Sequence, residues 1–555
     1  MPGKKADPVA DVSGWKTRLT IEMIERFTAS GEWRGVTLAE SATARARDMG
    51  TEIAVVDGAE KLTYADVLRQ AHALAATLRQ RGLKAGDVLS FQLPNWYETA
   101  ILNVAASLGG FIVNPIVPIY RDAEVGFILK NSRTRALFIP ERFRSIDYLE
   151  MVERLKPDLP ELRDVVLVRA EREGYESFSA WTANESDTDE SGVDPNAIKL
   201  LLYTSGTTGD PKGVLHSHNT LQAEVDAVSS FWALKRGDVV LMPSPVTHIT
   251  GYIYALELCF ALGIKIVFMD RWDASDAVDL IAGHGATFSI GATPFLVELV
   301  TELERRQATL PTLRLFACGG APVPPEIIHR AGRVLPSCLA FRVYGSSEAP
   351  TVSLGVAEGD PLELGAVTDG CIVNHEVRIV NPEDGSLVAP GEEGEILTRG
   401  PELMLGYTRW QDTLDAFDAE GYFRTGDIGF ISHDRYLTIS GRKKDLIIRG
   451  GENISAKEIE DILHKHPAVA EAAVVAMPHP RMGETPAAYV VPRPGASFGF
   501  EEMARFLEEA KLARQKIPER LFVIAEMPRT ASGKVLKHVL RARCKSGEDR
   551  PDEIA

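Results

Sequence analysis

Cysteine is scarce in this chain. There are five in 555 residues, at positions 259, 318, 338, 371 and 544, an odd number with no Cys-x-x-Cys pair. That spacing excludes a disulfide framework and a thiolate zinc site, and it fits reduced thiols in a cytoplasm. Basic charge is in deficit, with 61 Lys and Arg against 78 Asp and Glu and a net charge of -17. A general nucleic-acid binder needs a basic face, so no nucleic-acid partner is expected; a local basic pocket for a phosphorylated ligand remains open. Long apolar runs are missing too. Stretch 99–120 is broken by Asn103, Asn114 and two prolines, and stretch 252–269 by Glu257 and Lys265. Both read as buried helix and strand, and no membrane span is expected. Met1-Pro2-Gly3-Lys4-Lys5-Ala6-Asp7 has no apolar core of a secretory signal.

What the chain does have is a turn crowded with hydroxyls: Tyr203-Thr204-Ser205-Gly206-Thr207-Thr208-Gly209-Asp210-Pro211-Lys212-Gly213. An apolar run, 198–203, leads in, and Val214-Leu215-His216-Ser217-His218 leads out. Glycines let backbone approach a bulky anion, and amides, hydroxyls and a lysine can then surround phosphate oxygens. The common P-loop needs Gly-Lys-Ser/Thr directly opening a helix. Here Asp210-Pro211 intervenes, so a phosphate loop joining two strands is expected, with a helix only after Asn219.

A chain of this length exceeds one core, so two or more domains are expected. Residues 1–35 read as an adapter segment with a short helix at 21–28, residues 36–441 as a large domain, and 442–555 as a small one. Thr37-Leu38-Ala39-Glu40 follows the capping-box pattern, and Leu62-Thr63-Tyr64-Ala65-Asp66 precedes an amphipathic helix with apolar Val67, Ala71, Leu74 and Leu78. Strand and helix then alternate: 88–93, 96–108, 111–117, 123–131 and 136–139. That order predicts an α/β sheet with helical crossovers. Residues 184–191 are acidic and free of apolar side chains, and a surface connector is expected there. Strands are expected at 239–242, 265–268, 288–290 and 313–317. Beyond Gly441, helices at 456–466 and 501–512 with strands at 470–476, 487–491 and 522–524 suffice for a small α+β domain.

Further chemistry-bearing strings follow in order. Cys318-Gly319-Gly320-Ala321-Pro322 offers a flat backbone shelf for a planar base. In Tyr344-Gly345-Ser346-Ser347-Glu348 an aromatic can stack on adenine and a carboxylate can hold Mg²⁺ through a hard oxygen. Phe423-Arg424-Thr425-Gly426-Asp427 holds a carboxylate on a turn, suited to two ribose hydroxyls. Gly441-Arg442-Lys443-Lys444-Asp445 sits where a hinge is expected, followed by the paired glycines Gly450-Gly451. Pro528-Arg529-Thr530-Ala531-Ser532-Gly533-Lys534 presents a lysine near the end.

In joint order and spacing, over residues 36–545, these strings resemble the adenylate-forming superfamily of acyl-CoA synthetases, luciferases and peptide-synthetase adenylation domains. The likeness is nearest to short- and medium-chain acyl-CoA synthetases and cyclohexanecarboxylate–CoA ligases. Supporting strings are Phe91-Gln92-Leu93-Pro94-Asn95-Trp96 and Gly291-Ala292-Thr293-Pro294-Phe295. The resemblance implies a large N-terminal domain of stacked α/β subdomains and a small mobile C-terminal α+β domain. It implies ATP, Mg²⁺ and coenzyme A, with a small carboxylic acid as substrate; a homodimer is compatible with it. By motif, Thr204, Ser205, Gly206, Thr207, Thr208 and Lys212 hold the triphosphate. Gly320, Ala321, Pro322, Tyr344, Gly345, Ser346 and Ser347 surround adenine, and Asp427 and Arg442 take the ribose. Thr204 and Glu348 position the metal. Lys534 is the catalytic residue of adenylation and also contacts ATP, Lys444 is the hinge, and Gly450 and Gly451 line the CoA channel. Where threonine usually precedes the glutamate, Ser347 keeps the hydroxyl.

For the acid, the stretch from Ser244 to Tyr252 contains no carboxylate, so an amino acid's ammonium would go unpaired and is disfavoured. His248 is implied as an aromatic gate beside the carboxylate and as a second catalytic residue. Gly251, Tyr252, Gly291, Ala292, Cys318, Gly319 and the residues 352–354 make a small apolar pocket for a fatty, alicyclic or aromatic acid. The rival expectations are an adenylating enzyme that loads a carrier protein, and a non-catalytic nucleotide- or acyl-binding protein.

Overall fold

The structure is a computed structural model and describes residues 8–183, 192–204, 211–320, 323–433, 435–450, 452–529 and 535–546. Thr37 and Thr63 open the helices Leu38–Met49 and Tyr64–Gln80. Each hydroxyl accepts the third amide of its helix, while Glu40 and Asp66 reach back to the cap amide, completing two capping boxes. Val67, Ala71, Leu74 and Leu78 are wholly buried, and this stripe turns the second helix onto Glu98–Gly109.

Two large sheets carry the bulk of the chain. The first has seven strands in the order Leu339–Arg342, Leu315–Cys318, Phe288–Gly291, Val239–Met242, Lys265–Phe268, Ile53–Asp57 and Glu60–Thr63. All neighbours are parallel except the last pair. The second has eight strands, ordered Gly406–Tyr407, Lys212–Ser217, Ile198–Thr204, Ile112–Pro115, Val88–Phe91, Thr134–Ile139, Asp164–Leu167 and Glu176–Ser177. Their central strands are buried on both faces, as parallel sheets between helices require, while the edge strands Glu60–Thr63 and Glu176–Ser177 are partly exposed. Ile198–Thr204 and Lys212–Ser217 pair antiparallel across the hydroxyl-rich turn, and Ser217 caps the helix His218–Phe231. The two flanking strands match the expectation, while the helix starts at His218, before the expected start after Asn219.

The stretch 252–269 is folded as the π-helical turn Tyr252–Glu257, the helix Leu258–Leu262 and the strand Lys265–Phe268. Glu257 is buried against the Lys199 ammonium and accepts from Asn103 Nδ2 at 3.0 Å. No helix among the described residues is long and apolar enough to cross a membrane.

A third sheet was not expected from the sequence: four antiparallel strands, Glu376–Val380, Gly394–Arg399, Phe423–Ser432 and Tyr436–Arg442. Its strands are partly exposed and interleaved with charges, so their apolar alternation is broken. A fourth sheet unites Glu452–Ile454, Ile447–Arg449, Gly483–Pro492, Val469–His479 and Arg520–Val523. Helices Ala456–Leu463 and Phe500–Glu509 cover one face through Ile459, Leu463, Met503 and Leu507. Lys537–Ser546 covers the other through Leu540.

The N-terminal segment is stitched into the large core. Trp15, Leu19, Phe27 and Trp33 are buried in one cluster with Tyr203, Leu215 and Leu405. Arg18 donates its amide to Leu405 O at 2.8 Å and its Nε to Met404 O at 2.8 Å. Trp33 Nε1 donates to Pro401 O at 3.0 Å. Together these contacts cover the outer rim beside Gly406–Tyr407, the edge strand of the eight-stranded sheet.

Candidate active site

Asp427 and Arg442 face each other across the third sheet. The sequence reading put Asp427 on a turn; it lies inside the strand Phe423–Ser432, where Gly426 at φ 70° bends the chain. Thr425 fixes the bend, donating its hydroxyl to Ile396 O at 2.8 Å and accepting the Asp427 amide at 3.0 Å. Asp427 Oδ1 pairs with Arg442 Nε at 2.9 Å, and Oδ2 accepts the Tyr344 hydroxyl at 2.6 Å. Burial, then the neighbouring Asp427, push the Tyr344 phenol far above its ordinary range, so it stays a neutral donor. Asp427 raises Arg442 in turn. The carboxylate is buried while nearly half of the Arg442 side chain is exposed. Each carboxylate oxygen keeps one lone pair free, so the group can take two further donors.

Tyr344 opens a tight loop. A Cβ on Gly345 would lie 1.9 Å from Pro350 O, so only glycine fits. Ser346 Oγ accepts the Glu348 and Ala349 amides, both at 3.2 Å. The His216 ring sets Nε2 2.7 Å from Ser347 O. A carbonyl can only accept, so Nε2 carries the proton and Nδ1 faces the Thr220 hydroxyl at 3.2 Å as acceptor. Burial holds the His216 imidazole down at about 4, hence neutral.

Glu348 is gripped twice. Its carbonyl accepts the Met404 amide at 2.9 Å, and Oε1 accepts the Tyr407 hydroxyl at 2.9 Å. Tyr407 in turn lies beside the hydroxyl-rich turn. Val214 is its partner across the strands, Thr204 lies opposite Lys212, and the Lys212 ammonium is 5.1 Å from the Tyr407 ring centre. Lys212 Nζ also stands 3.5 Å from Asp412 Oδ1. Tyr407 thus joins Glu348, through its hydroxyl, to Lys212, through its ring, and Thr204 is the strand partner of Lys212.

On the acyl side, His248 precedes the short helix Ile249–Gly251 and accepts the Tyr252 amide at 2.9 Å. A Cβ on Gly251 would meet Pro245 O at 2.2 Å, and one on Gly291 would meet the Phe295 ring at 2.5 Å. Asn95 clamps the approach to His248. Its Nδ2 donates to Met242 O at 3.2 Å and Ser244 O at 3.0 Å, while Oδ1 accepts the Val246 amide at 2.8 Å. Two side chains expected in the pocket have internal partners. Tyr252 donates to Asn103 Oδ1 at 2.6 Å, and Cys318 packs in the core under the seven-stranded sheet, its thiol pushed up to about 12 by burial. Gly319 lies against Val343, and Gly320 turns at φ 76°.

At the boundary, Lys443–Asp445 forms one 3-10 turn. Lys443 Nζ donates to Glu395 Oε2 at 2.9 Å, and Asp445 Oδ1 pairs with Arg541 Nη1 at 2.8 Å. Gly450 adopts φ 60° and donates to Met482 O at 2.8 Å. Ser205, Gly206, Thr207, Thr208, Ala321, Pro322, Gly451 and Lys534 lie outside the described residues.

Sequence reasoning assigned no role to Tyr407, Asp412, His216 or Asn95. Gly406-Tyr407 has no pattern of its own, and its part emerges only through pairing with a strand almost 200 residues earlier. Asn95 and His216 each stood inside a quoted string, which was the available signal for those two.

A model of the AMP-binding enzyme family matches residues 42–408, and one of the AMP-binding enzyme C-terminal domain matches 458–534. The medium-chain fatty-acid–CoA ligase of Escherichia coli K12 is 35% identical over 95% of this chain and 94% of its own. A salicylyl-CoA synthase/salicylate adenylyltransferase of a Streptomyces species is 30% identical over 94% of this chain and 96% of its own. Among solved structures, ATP-bound MatB from Rhodopseudomonas palustris superposes with a TM-score of 0.83 at 26% identity, covering 92% of this chain and 99% of that one. The chain therefore belongs to the AMP-binding enzyme family, within the adenylate-forming superfamily.

Proposed function

We propose that this chain is an AMP-forming acid–CoA ligase that activates a medium-chain or cyclic carboxylic acid. The observation that carries the reading is the two-ended site: Tyr344–Asp427–Arg442 at one end, and Lys212 and Glu348 on Tyr407 at the other, with Thr204 paired to Lys212. Relatives that act as acid–CoA ligases match nearly its whole length.

In the first half-reaction a carboxylate oxygen of the acid attacks the α-phosphorus of ATP. The bond to pyrophosphate breaks, and pyrophosphate leaves with the electron pair. Asp427 accepts the ribose hydroxyls, Tyr344 borders adenine, and Lys212 leaves Asp412 for the phosphates. Thr204 and Glu348 fit a magnesium ion, which uses one or two carboxylates with substrate phosphates rather than a protein cage; that ion would neutralise charge on the departing pyrophosphate. Lys534 is assigned to the charge that builds as carboxylate meets phosphate. One ammonium about 4 Å away contributes roughly 4 kcal/mol at an effective dielectric of 20, and it speeds the step to the extent that it acts on the transition state. In the second half-reaction the sulfur of CoA attacks the acyl carbon, and AMP leaves with the mixed-anhydride electron pair. For this step we assign a rotation of the small domain at Lys444, which withdraws Lys534 and brings Gly450-Gly451 to the thiol path. A cytoplasmic location suits the sparse thiols, four of the five being buried.

The test supplies ATP, Mg²⁺ and a panel of acids with and without CoA. CoA-dependent AMP release is expected. Adenylate without thioester would move the chain to carrier-protein loading, and no turnover would leave a binding protein. Lys534→Ala should abolish adenylation yet spare thioester formation from supplied acyl-adenylate; equal loss of both would refute that division.

A further inference from the structure

Met404 and Leu405 lie between the N-terminal segment and the end of the site assigned to magnesium. Their four backbone polar groups are all taken. The Met404 amide donates to Glu348 O at 2.9 Å, and the Leu405 amide to Leu215 O at 2.7 Å. Both carbonyls go to one residue. Arg18 donates its amide to Leu405 O at 2.8 Å and its Nε to Met404 O at 2.8 Å. Two residues on, the Tyr407 hydroxyl donates to Glu348 Oε1 at 2.9 Å. Segment 404–407 therefore grips Glu348 by main chain and side chain, and its outer edge rests on Arg18.

The guanidinium is partly buried and pairs with no carboxylate among the described residues. Its Cζ lies 4.7 Å from the Phe417 ring centre, and Nη1 is 3.9 Å from Met23 Sδ. Burial pulls its pKa down to about 10, so it is charged at neutral pH. A desolvated cation without an ionic partner is costly, and an apolar side chain would fill the place at less cost. What the cation adds is a charge-assisted hydrogen bond to Met404 O and a field at His216. Burial, and then the Arg18 charge, hold that imidazole down at about 4. The neutral ring sets Nε2 2.7 Å from Ser347 O, on the residue before Glu348. Arg18 thus acts on the 347–348 segment by two routes, through Met404 and through His216.

Resting on the ligase reading, we propose that Arg18 is a positioning residue of the adenylation step: it holds segment 404–407 against Glu348, so that the N-terminal segment works as part of the magnesium end of the site. Loss of the Nε donor frees the Met404 carbonyl, the segment loses its outer support, and the Glu348 carboxylate no longer has one fixed place. The ribose end, built on Tyr344, Asp427 and Arg442, keeps its own bonds.

The experiment follows Arg18→Met and Arg18→Lys in the full chain, with ATP, Mg²⁺ and an acid that the wild type turns over. In Arg18→Met the kcat of adenylation is expected to fall about tenfold, the order of one hydrogen bond to a charged group, and the Mg²⁺ concentration for half-maximal adenylation to rise several-fold. The KM for the acid and thioester formation from supplied acyl-adenylate should stay at wild-type values, a split that a general loss of packing would not produce. Arg18→Lys keeps the charge without the fixed planar donor, so its Mg²⁺ requirement should lie between the other two. Combined with Tyr407→Phe, Arg18→Met should cost less than the product of the single losses, because both act on Glu348. Equal loss of both half-reactions, an unchanged Mg²⁺ requirement or fully independent losses overturn the proposal. If Arg18→Met does not fold, Arg18→Lys decides: a raised Mg²⁺ requirement supports the proposal, and a wild-type one refutes it. If no acid releases AMP from the wild type, the ligase reading fails separately. Calorimetric titration of ATP with and without Mg²⁺ then decides for Arg18: a smaller Mg²⁺-dependent gain in affinity in the variant supports the role, and an equal gain refutes it.

Discussion

At the scale of single residues, the site depends on a few charge-assisted hydrogen bonds. Asp427→Ala removes the acceptor shared by Tyr344 and Arg442. The KM for ATP should rise at least about tenfold, consistent with roughly 1.5–3 kcal/mol for a hydrogen bond to a charged group, while the KM for the acid is little changed. Steady-state kinetics with each substrate varied separately check this. Tyr407→Phe keeps the ring beside Lys212 and deletes only the hydroxyl on Glu348. The Mg²⁺ concentration for half-maximal adenylation should increase several-fold, and a magnesium titration decides it. His216 supplies a pH effect. Its folded-state value of about 4 lies below the ordinary 6.5. The unfolded state therefore binds the proton more readily, and the stability that the neutral ring provides is lost as pH falls from 6.5 toward 4. Thermal melts should show His216→Gln losing less Tm over that interval than the wild type. Asp427, Arg442, Tyr344 and Glu348 were legible because each stands in a dense local string. Tyr407 was not, because a lone tyrosine in an apolar stretch carries no local signature of its partners.

At the scale of elements, the helices after Thr37 and Thr63 could be read from capping boxes that act over four residues. The parallel strands could be read from unbroken apolar runs. The third sheet could not, since its edges face solvent and its alternation is interrupted. That is why Asp427 was placed on a turn. The loop from Gly345 to Pro350 is the element most sensitive to a small change. Gly345→Ala puts a methyl 1.9 Å from a backbone oxygen, so the loop must open and Glu348 must shift. Activity with saturating ATP should fall by at least about a hundredfold with only a modest change in Tm, because overpacking typically costs about 1–3 kcal/mol; paired kinetics and calorimetry test this.

At the scale of the whole molecule, the proposed reaction has two lobes change partners between its half-reactions. The turn Lys443–Asp445 is tied on both sides, by Lys443 to Glu395 and by Asp445 to Arg541. Lys444→Pro restricts backbone rotation at that turn; thioester formation should suffer more than adenylation in separately assayed half-reactions, and equal kinetics would count against a hinge there. The order of synthesis imposes another constraint. Arg18 meets Met404, a partner 386 residues away along the chain. At about 5–20 residues per second of translation, roughly 20–80 s pass before the second partner exists. Through that interval Trp15 and Trp33 have no completed core to enter, and the large lobe closes only when its synthesis is almost done.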